Sequence, residues 1–359
     1  MSELRDSVVR RTIEIAEVPA PTGHEEERAS LVRSWWQRDG LEQVHSDSAG
    51  NVWGLARGGD GPTVILGAHL DTVFGADVPH RVLVDGERLV GPSVGDDSVG
   101  LASLSEAGAS LSAGGMPVWV LATVGEEGLG NLRGVRAALD DPPAAVAAFI
   151  AVEGNYLGRV STIGLGSIRR RVRVRGPGGH AWEARDTPSA VHAIGRLVAA
   201  ITAMPVRLGT SVNVGRVAGG EGINMRAREA WFELDLRADD ADALAAAARD
   251  VDELLATIEQ PLVVDQDTLG DRPAGAIDPV HPLVRAATQA LGEVGTSAGS
   301  PPSSTDANAA HARGIPSVAV GVTTGSGEHT VEEWIETSSI ESGVRALART
   351  VEHFEELST

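Results

Sequence analysis

Ionisable side chains follow the ends of several apolar stretches in this sequence of 359 residues. The stretch VILGAHLD shows the pattern, because an unbroken apolar run ends there in a histidine and an aspartate. Five segments carry such groups: His69 and Asp71, Asp96 and Asp97, Glu126 and Glu127, Glu153, and Glu328 and His329. Open α/β sheets bind ligands at the carboxyl ends of their strands. Because so many carboxylates would repel one another there, the pattern predicts a bound cation.

The types of these side chains indicate which cation it is. Two histidines with several carboxylates and no cysteine suit zinc, manganese or cobalt, whereas an all-oxygen calcium or magnesium site needs no imidazole. With two histidines and at least three carboxylates, a pair of ions that share one bridging carboxylate fits better than one tetrahedral zinc. Two metals about 3.5–4 Å apart polarise a carbonyl and generate hydroxide at neutral pH. The predicted chemistry is hydrolysis.

Alternating helix and strand signals surround these residues up to about residue 155. The apolar strands include PTVILGAHL, PVWVLATVG and AAVAAFIAVEG, and the small-residue helix SVGLASLSEAGASLSAG lies between the first two of them. Fully apolar strands that alternate with helices indicate a mixed, mostly parallel sheet covered by helices on both faces. The helix and strand pattern resumes near the end of the chain with HPLVRAATQALGEVG and GIPSVAVGV.

An α+β insert interrupts this pattern. Its signals are alternating strands, the helix TPSAVHAIGRLVAAITAM, a hairpin-like NVGRVAGGEGINM, the strand AWFELDLRA and an alanine-rich helix. The sequence therefore predicts a catalytic domain in two parts with an insert between them. The predicted boundaries are 1–161 and 273–359 for the catalytic domain and 162–272 for the inserted domain.

Composition excludes several classes of partner. The formal net charge is -20, and such an acidic chain repels nucleic acid and anionic membranes. The one basic segment, SIRRRVRVR, alternates like a half-buried strand, and we expect its arginines to be solvated or to form ion pairs. No apolar run approaches the roughly 18 residues of a membrane helix. The charged start and the absence of cysteine predict a cytoplasmic protein.

Five motifs together resemble the dinuclear zinc peptidase family that includes tripeptidase, glutamate carboxypeptidase, aminoacylase and succinyl-diaminopimelate desuccinylase. They are, in chain order, GAHLDTV, GPSVGDDSVG, TVGEEGLGN, AVEG and GEHTVEEW. The likeness spans nearly the whole chain. It implies two divalent ions, with zinc expected first and manganese or cobalt as alternatives.

The resemblance also implies a role for individual residues. His69 and Glu153 resemble ligands of one metal, Glu127 and His329 ligands of the other, and Asp96 the bridging carboxylate. Asp71 resembles the carboxylate that orients His69, and the two lie on one side of an extended segment. Glu126 resembles the general base, which takes a proton from the metal-bridging water and later delivers it to the leaving amine.

The insert resembles the lid and dimerisation domain of the same family, which implies a homodimer. His180 in GPGGHAW resembles a histidine that reaches the active site of a neighbouring subunit and helps to stabilise the oxyanion. Asn224 and Arg237 resemble the polar pair that binds the backbone and the carboxylate of the substrate. The local alternative for Arg237 is an ion pair with Asp235 or Glu233.

These observations predict hydrolysis of a peptide or related amide bond in a small substrate, with a tripeptidase- or aminopeptidase-like activity. An N-acyl-amino-acid deacylase or a carboxypeptidase is the alternative within the same chemistry. A nonenzymatic binding protein on a peptidase scaffold is a remote alternative, and the presence of Glu126 argues against it. A nucleotide-binding oxidoreductase fails on the spacing of GLGNLRG and on the repulsion of a pyrophosphate by the adjacent Glu126 and Glu127.

Overall fold

The computed structural model describes residues 2–358 and divides the chain into two compact units. One unit comprises the chain up to residue 164 together with residues from 276 onward, and the other comprises residues 165–275. The predicted boundaries lie three residues before these at each junction. The lid and dimerisation roles expected of the inserted unit stay predictions.

The first, sixth and seventh helices in the described residues begin at a side-chain cap, and the seventh also has a proline in its first turn. Ser2 caps the first helix through its hydroxyl, and Asp240 caps the sixth through its carboxylate. The helices are α1 (Glu3–Ala16), α2 (Glu26–Arg38), α3 (Val99–Ala109), α4 (Arg133–Asp140), α5 (Ala190–Ala203), α6 (Ala241–Ala256), α7 (Pro282–Glu293), α8 (Ala307–His311) and α9 (Ile340–Ser358). A π-helical turn at Val94–Ser98 and a 3-10 turn at Thr337–Ser339 complete the helical segments.

Strands in the described residues form one large sheet, two four-stranded sheets and two short pairs. The strands are β1 (Glu42–Ser46), β2 (Val52–Arg57), β3 (Thr63–His69), β4 (Leu83–Asp85), β5 (Arg88–Val90), β6 (Val118–Thr123), β7 (Val146–Val152), β8 (Val160–Ser161), β9 (Ile163–Gly164), β10 (Gly166–Arg175), β11 (Gly179–His180), β12 (Thr210–Gly219), β13 (Met225–Arg226), β14 (Glu229–Ala238), β15 (Val263–Arg272), β16 (Gly275–Ala276), β17 (Ser317–Val320), β18 (Gly325–Ser326) and β19 (Trp334–Glu336).

The large sheet confirms the predicted fold class. Its order is β1-β2-β6-β3-β7-β17-β8, and β6, β3, β7 and β17 are parallel neighbours. Alternate residues of β3 enter two different cores, since Leu66 packs with α1, α2, α3, α7 and α9 whereas Ile65 packs with α4 and α8. Helices therefore cover both faces, which is why the central strands are apolar along their whole length.

The inserted unit is an antiparallel sheet with two helices on one face. The sheet order is β12-β14-β10-β15, and Phe232, Leu234 and Leu236 of β14 point into a core formed with α5 and α6. The prediction of a hairpin within NVGRVAGGEGINM is wrong. Met225 pairs with His180 of β11, while β12 pairs with β14, because the glycine-rich loop carries the chain away from the edge of the larger sheet.

The arginine-rich strand β10 forms the expected ion pairs on the opposite face of this sheet. Arg169 lies 3.2 Å from Asp235, and Arg171 pairs with Glu233. Two further arginines on this face are paired as well: Arg173 with Glu229 and Asp267, and Arg175 with Asp265. Neighbouring strands thus supply the acidic partners.

No helix within residues 2–358 is long and apolar enough to cross a membrane.

Candidate metal centre

The predicted metal ligands of the catalytic unit follow neighbouring parallel strands. His69 is the last residue of β3 and lies opposite Thr123, the last residue of β6, from which Glu126 and Glu127 are three and four residues away. Glu153 directly follows β7, the other neighbour of β3. Because parallel strands end at the same edge, their register brings these groups together.

Asp96 lies between the two histidines. Its Oδ1 is 2.8 Å from Nε2 of His69, and its Oδ2 is 3.1 Å from Nε2 of His329. Asp96 belongs to the π-helical turn before α3, where the Asp96–Asp97 peptide bond is cis. Each carboxylate oxygen thus faces a different imidazole, which is the arrangement that a bridging carboxylate requires.

Two three-residue groups of ligand atoms share Asp96. His69, Asp96 and Glu153 form one group, and the ligand atoms lie within 4.8 Å of one another. Asp96, Glu127 and His329 form the other, in which Oε1 of Glu127 is 3.0 Å from Nε2 of His329. The ligand atoms of a third group, His69, Glu126 and Glu127, also lie within 4.8 Å of one another. Glu126 is therefore close to the ligand cluster.

Asp71 is fully buried and organises the segment that carries the two glutamates. Its carboxylate accepts hydrogen bonds from the backbone N–H groups of Glu126 and Glu127, both at 2.9 Å, and from the Thr22 hydroxyl at 2.8 Å. The Asp71 carboxylate lies 3.7 Å from Nδ1 of His69, while its backbone carbonyl is closer, at 3.0 Å. Asp71 thus contacts the His69 ring on the side opposite Asp96.

The pKa values of the two histidines are raised. Burial alone would lower the pKa of His69, but hydrogen bonds to Asp71 and Asp96 outweigh it and leave the pKa well above the usual value. Hydrogen bonds to Asp96 and then Glu127 raise the pKa of His329 to about 10. Burial opposes ionisation of Asp96, yet the same two histidines hold its pKa well below the usual range. The imidazoles act here as cations among carboxylates.

The other carboxyl groups of the cluster have too little positive charge around them to favour their ionised form. Burial, followed by the charge of Asp97, raises the pKa of Glu153 well above its usual value. Burial likewise raises the pKa of Asp97. Divalent cations would supply the missing positive charge and would replace the protons on the histidines. With oxygen and imidazole donors in two groups that share Asp96, the residues present fit a two-metal centre.

Two acidic residues next to the ligands hold their backbone in place. Asp97 is fully buried and accepts hydrogen bonds from the N–H groups of His69, at 3.2 Å, and Gly154, at 2.8 Å. Glu333 is also fully buried and accepts from the N–H groups of Gly95 and Asp96. The sequence showed Asp97 only as the second acid of a pair, and it gave no reason to single out Glu333.

The first turn of α2 and its N-cap residue, Glu25, also support the centre, and sequence reasoning missed them. Arg28 is fully buried and donates to the carbonyl oxygen of Leu70, between His69 and Asp71. Burial lowers the pKa of Arg28 to about 10, while Asp71 and then Asp97 oppose that change. Glu25 accepts from the N–H of Gly125 at 3.1 Å, next to the predicted base. A buried arginine thus lies behind the acidic cluster.

The family model for peptidases of the M20/M25/M40 type matches residues 65–353 of this sequence. The matched range covers more than half of the chain and contains all five predicted metal ligands. The chain belongs to peptidase family M20/M25/M40. This confirms the resemblance seen in the motifs, and the protein is an enzyme of the metallopeptidase and amidohydrolase class.

Solved structures share the whole fold of this M20/M25/M40 chain. A tripeptidase from Staphylococcus aureus has a TM-score of 0.83 at 19% identity and covers 98% of this chain and 99% of its own. The aminopeptidase PepT from Bacillus cereus ATCC 10987 has a TM-score of 0.81 at 21% identity, with 98% of both chains covered. A dinuclear metal binding M20 peptidase from Bacillus subtilis has a TM-score of 0.71 at 17% identity, with 98% of this chain and 99% of that chain covered.

One curated relative matches a shorter part of the sequence. A Pyrococcus abyssi protein named as a LysW-lysine/LysW-ornithine hydrolase is 35% identical over 78 residues. The match spans 22% of this chain and 22% of that protein.

The inserted unit of this M20/M25/M40 chain brings two of its three predicted site residues together. His180 and Asn224 are both exposed, and the N–H of Ala181 donates to the carbonyl oxygen of Asn224 at 2.8 Å. Arg237 lies at the other end of β14 and donates to Asp235 at 2.8 Å. Eight residues separate Glu229 from Arg237 along this strand, a span of about 27 Å at strand spacing. Arg237 therefore lies far along β14 from its Glu229 end, the end that follows Asn224 and β13 in the chain.

Proposed function

We propose that this protein uses two divalent metal ions to hydrolyse a peptide bond in a small substrate, with tripeptidase- or aminopeptidase-like specificity. One observation carries the proposal: Asp96 faces His69 with one oxygen and His329 with the other. A carboxylate between two imidazoles, each with a further carboxylate nearby, is a donor set for two ions. Membership in the M20/M25/M40 family supports the same chemistry.

Five residues would hold the ions. His69 and Glu153 would bind one, Glu127 and His329 the other, and Asp96 both. Zinc is our first choice, with manganese and cobalt as alternatives that accept the same nitrogen and oxygen donors. When bound, the ions supply Lewis-acid polarisation of the substrate carbonyl and lower the pKa of water.

Glu126 is proposed as the general base and acid. Glu126 is 5% exposed, and one of its carboxylate oxygens lies within 4.8 Å of the ligand atoms of His69 and Glu127. The hydrogen bond from its N–H to Asp71 fixes the backbone on which this side chain is carried. Glu126 would take a proton from the attacking water and return it to the nitrogen of the leaving amine. The presence of this base also argues against the nonenzymatic binding protein.

We further propose that the protein is a homodimer assembled through the inserted unit. Strand β12 lies at the edge of its sheet, where backbone groups are free to pair with a second copy, and Val217 on this strand is 55% exposed. In such a dimer His180 and Asn224 would contact the substrate of the neighbouring subunit. Chains carrying His180→Ala should then restore activity when mixed with chains carrying Glu126→Gln, because one mixed site has both groups intact. No recovery after confirmed subunit exchange would contradict action across the dimer.

A substrate panel tests the proposed activity. Metal-free protein is reconstituted separately with zinc, manganese and cobalt, and each form is assayed on dipeptides, tripeptides and N-acetylated amino acids. Fastest cleavage of tripeptides with a free amino end supports the proposal. Faster release of the acyl group from N-acetylated amino acids would instead establish the deacylase alternative. Folded, metal-loaded protein that cleaves none of these substrates would refute the proposal.

A further inference from the structure

Glu333 makes two short hydrogen bonds to the backbone that carries the bridging carboxylate. It has 0% exposure, and its Oε1 accepts from the N–H of Gly95 at 2.8 Å and from the N–H of Asp96 at 2.7 Å. A Cβ atom added to Gly95 would lie 2.7 Å from the same oxygen, so this approach requires glycine. One carboxylate oxygen thus fixes two successive peptide groups.

The same residue belongs to the segment that carries His329. Glu333 lies four residues after this histidine, and its N–H donates to the carbonyl of Thr330 at 3.2 Å. Its own carbonyl accepts from the N–H of Gly91 at 2.8 Å, at the start of the loop that leads to Asp96. Glu333 therefore connects the segments of Asp96 and His329 through its side chain and its backbone.

We propose that Glu333 is a positioning residue, which holds the Asp96 backbone so that the two carboxylate oxygens face His69 and His329. The inference rests on the proposed two-metal centre. Oε1 of Glu333 accepts both hydrogen bonds, whereas Oε2 makes none within the described residues. The proposed role therefore depends on where this one accepting oxygen lies. Residues that orient metal ligands affect metal affinity without touching the ion.

Three substitutions separate the reach of the accepting oxygen from the presence of a carboxyl group. Glu333→Gln keeps the accepting oxygen and the side-chain length but has no carboxyl group. Glu333→Asp keeps the carboxyl group but is shorter by one methylene, about 1.5 Å, so its oxygen cannot accept from both N–H groups. Glu333→Leu removes both. The control is Val351→Ala, which opens a cavity at a fully buried position of α9 and is expected to lower stability without changing the loop.

The readout is zinc binding to the metal-free full-length protein, measured by titration calorimetry and elemental analysis, with thermal unfolding of each variant in parallel. We expect Glu333→Gln and Val351→Ala to bind two ions with wild-type affinity. Glu333→Asp and Glu333→Leu should weaken binding by about 10–100-fold, the usual effect of losing a residue that orients a metal ligand.

The opposite pattern would overturn the inference. If Glu333→Asp binds zinc as wild type does while Glu333→Gln binds it more weakly, the carboxyl group of Glu333 matters and the reach of its accepting oxygen does not. Wild-type affinity in all three variants, or equal weakening in Val351→Ala, would likewise reject a positioning role. Failure of the wild-type protein itself to bind two ions would refute the proposed metal centre, and this result is distinct from a change confined to the Glu333 variants.

Discussion

Replacing Arg28 with methionine should destabilise the metal-free protein by about 3–5 kcal/mol, the cost of removing one partner from a buried ionic group. Arg28 is a cation at pH 7, because burial lowers its pKa only to about 10. Its guanidinium donates to the carbonyl of Val18 at 2.8 Å and 3.1 Å and to that of Leu70 at 3.0 Å. Asp71 and Asp97 are the carboxylates whose charge it offsets.

The magnitude follows from the groups that methionine would leave behind. Methionine fills the space of the aliphatic part but donates no hydrogen bond. The carbonyls of Val18 and Leu70 then stay buried without this donor, at about 1–3 kcal/mol each. Asp71 also loses a cationic neighbour inside the protein. These costs overlap because they involve the same site, so the total remains near the range for a broken buried pair.

Urea unfolding of the metal-free protein at pH 7, followed by tryptophan fluorescence, measures this loss. The matched control is Arg33→Met, the same substitution in the same helix at an exposed position, which should change stability by no more than about 0.5 kcal/mol. A lower midpoint for Arg28→Met alone supports the account. Equal midpoints for the two variants would show that Arg28 does not support the acidic cluster.

Four further predictions concern the site and its substrate. Glu126→Gln should keep the wild-type metal content while turnover falls by about 10²-fold or more. Glu127→Gln should instead lose metal, and equal metal loss in both variants would reject this division of roles. Zinc binding at pH 7 should release protons, because His329 in the metal-free protein has a pKa of about 10, and calorimetry in two buffers of different ionisation enthalpy measures the number released. The ion pairs of His329 should stabilise the metal-free protein fully below its ordinary pKa of 6.5, and this contribution should be lost as the pH rises through about 10. If Arg237 binds the substrate carboxylate, Arg237→Lys should lower catalytic efficiency on free-acid peptides by about 1.5–3 kcal/mol relative to amidated peptides. An unchanged ratio of the two catalytic efficiencies would leave Arg237 as the local partner of Asp235.

Sequence patterns predicted the sheet and the cluster of ligands for one physical reason. An apolar strand such as the one before His69 must be buried on both faces, so an ionisable group at its end can only lie at the edge of the sheet. The register of β3, β6 and β7 then brings His69, Glu126 and Glu153 to that edge. Periodicity also predicted the ion-paired face of β10, because acidic residues alternate on the neighbouring strand.

Burial of single charges could not be predicted in the same way. In the run from Glu25 to Arg28, the two end residues are buried and the two between them are exposed, although the run resembles a solvated helix surface. Glu332 and Glu333 are equally alike in sequence, yet only Glu333 is buried. In each case tertiary contacts made by distant segments decide which charge is enclosed. The hairpin in the inserted unit failed similarly, because pairing with β11 competes with local pairing.

Metal content measures the central claim most directly. The full-length protein is reconstituted with zinc, freed of loosely bound ions by dialysis, and analysed for metal per chain beside an Asp96→Ala variant. We expect about two ions per wild-type chain and less than one in Asp96→Ala, because the bridging carboxylate serves both ions. Wild-type protein that is folded but retains only trace zinc, or an Asp96→Ala variant that retains two ions, would contradict a two-metal centre built around Asp96.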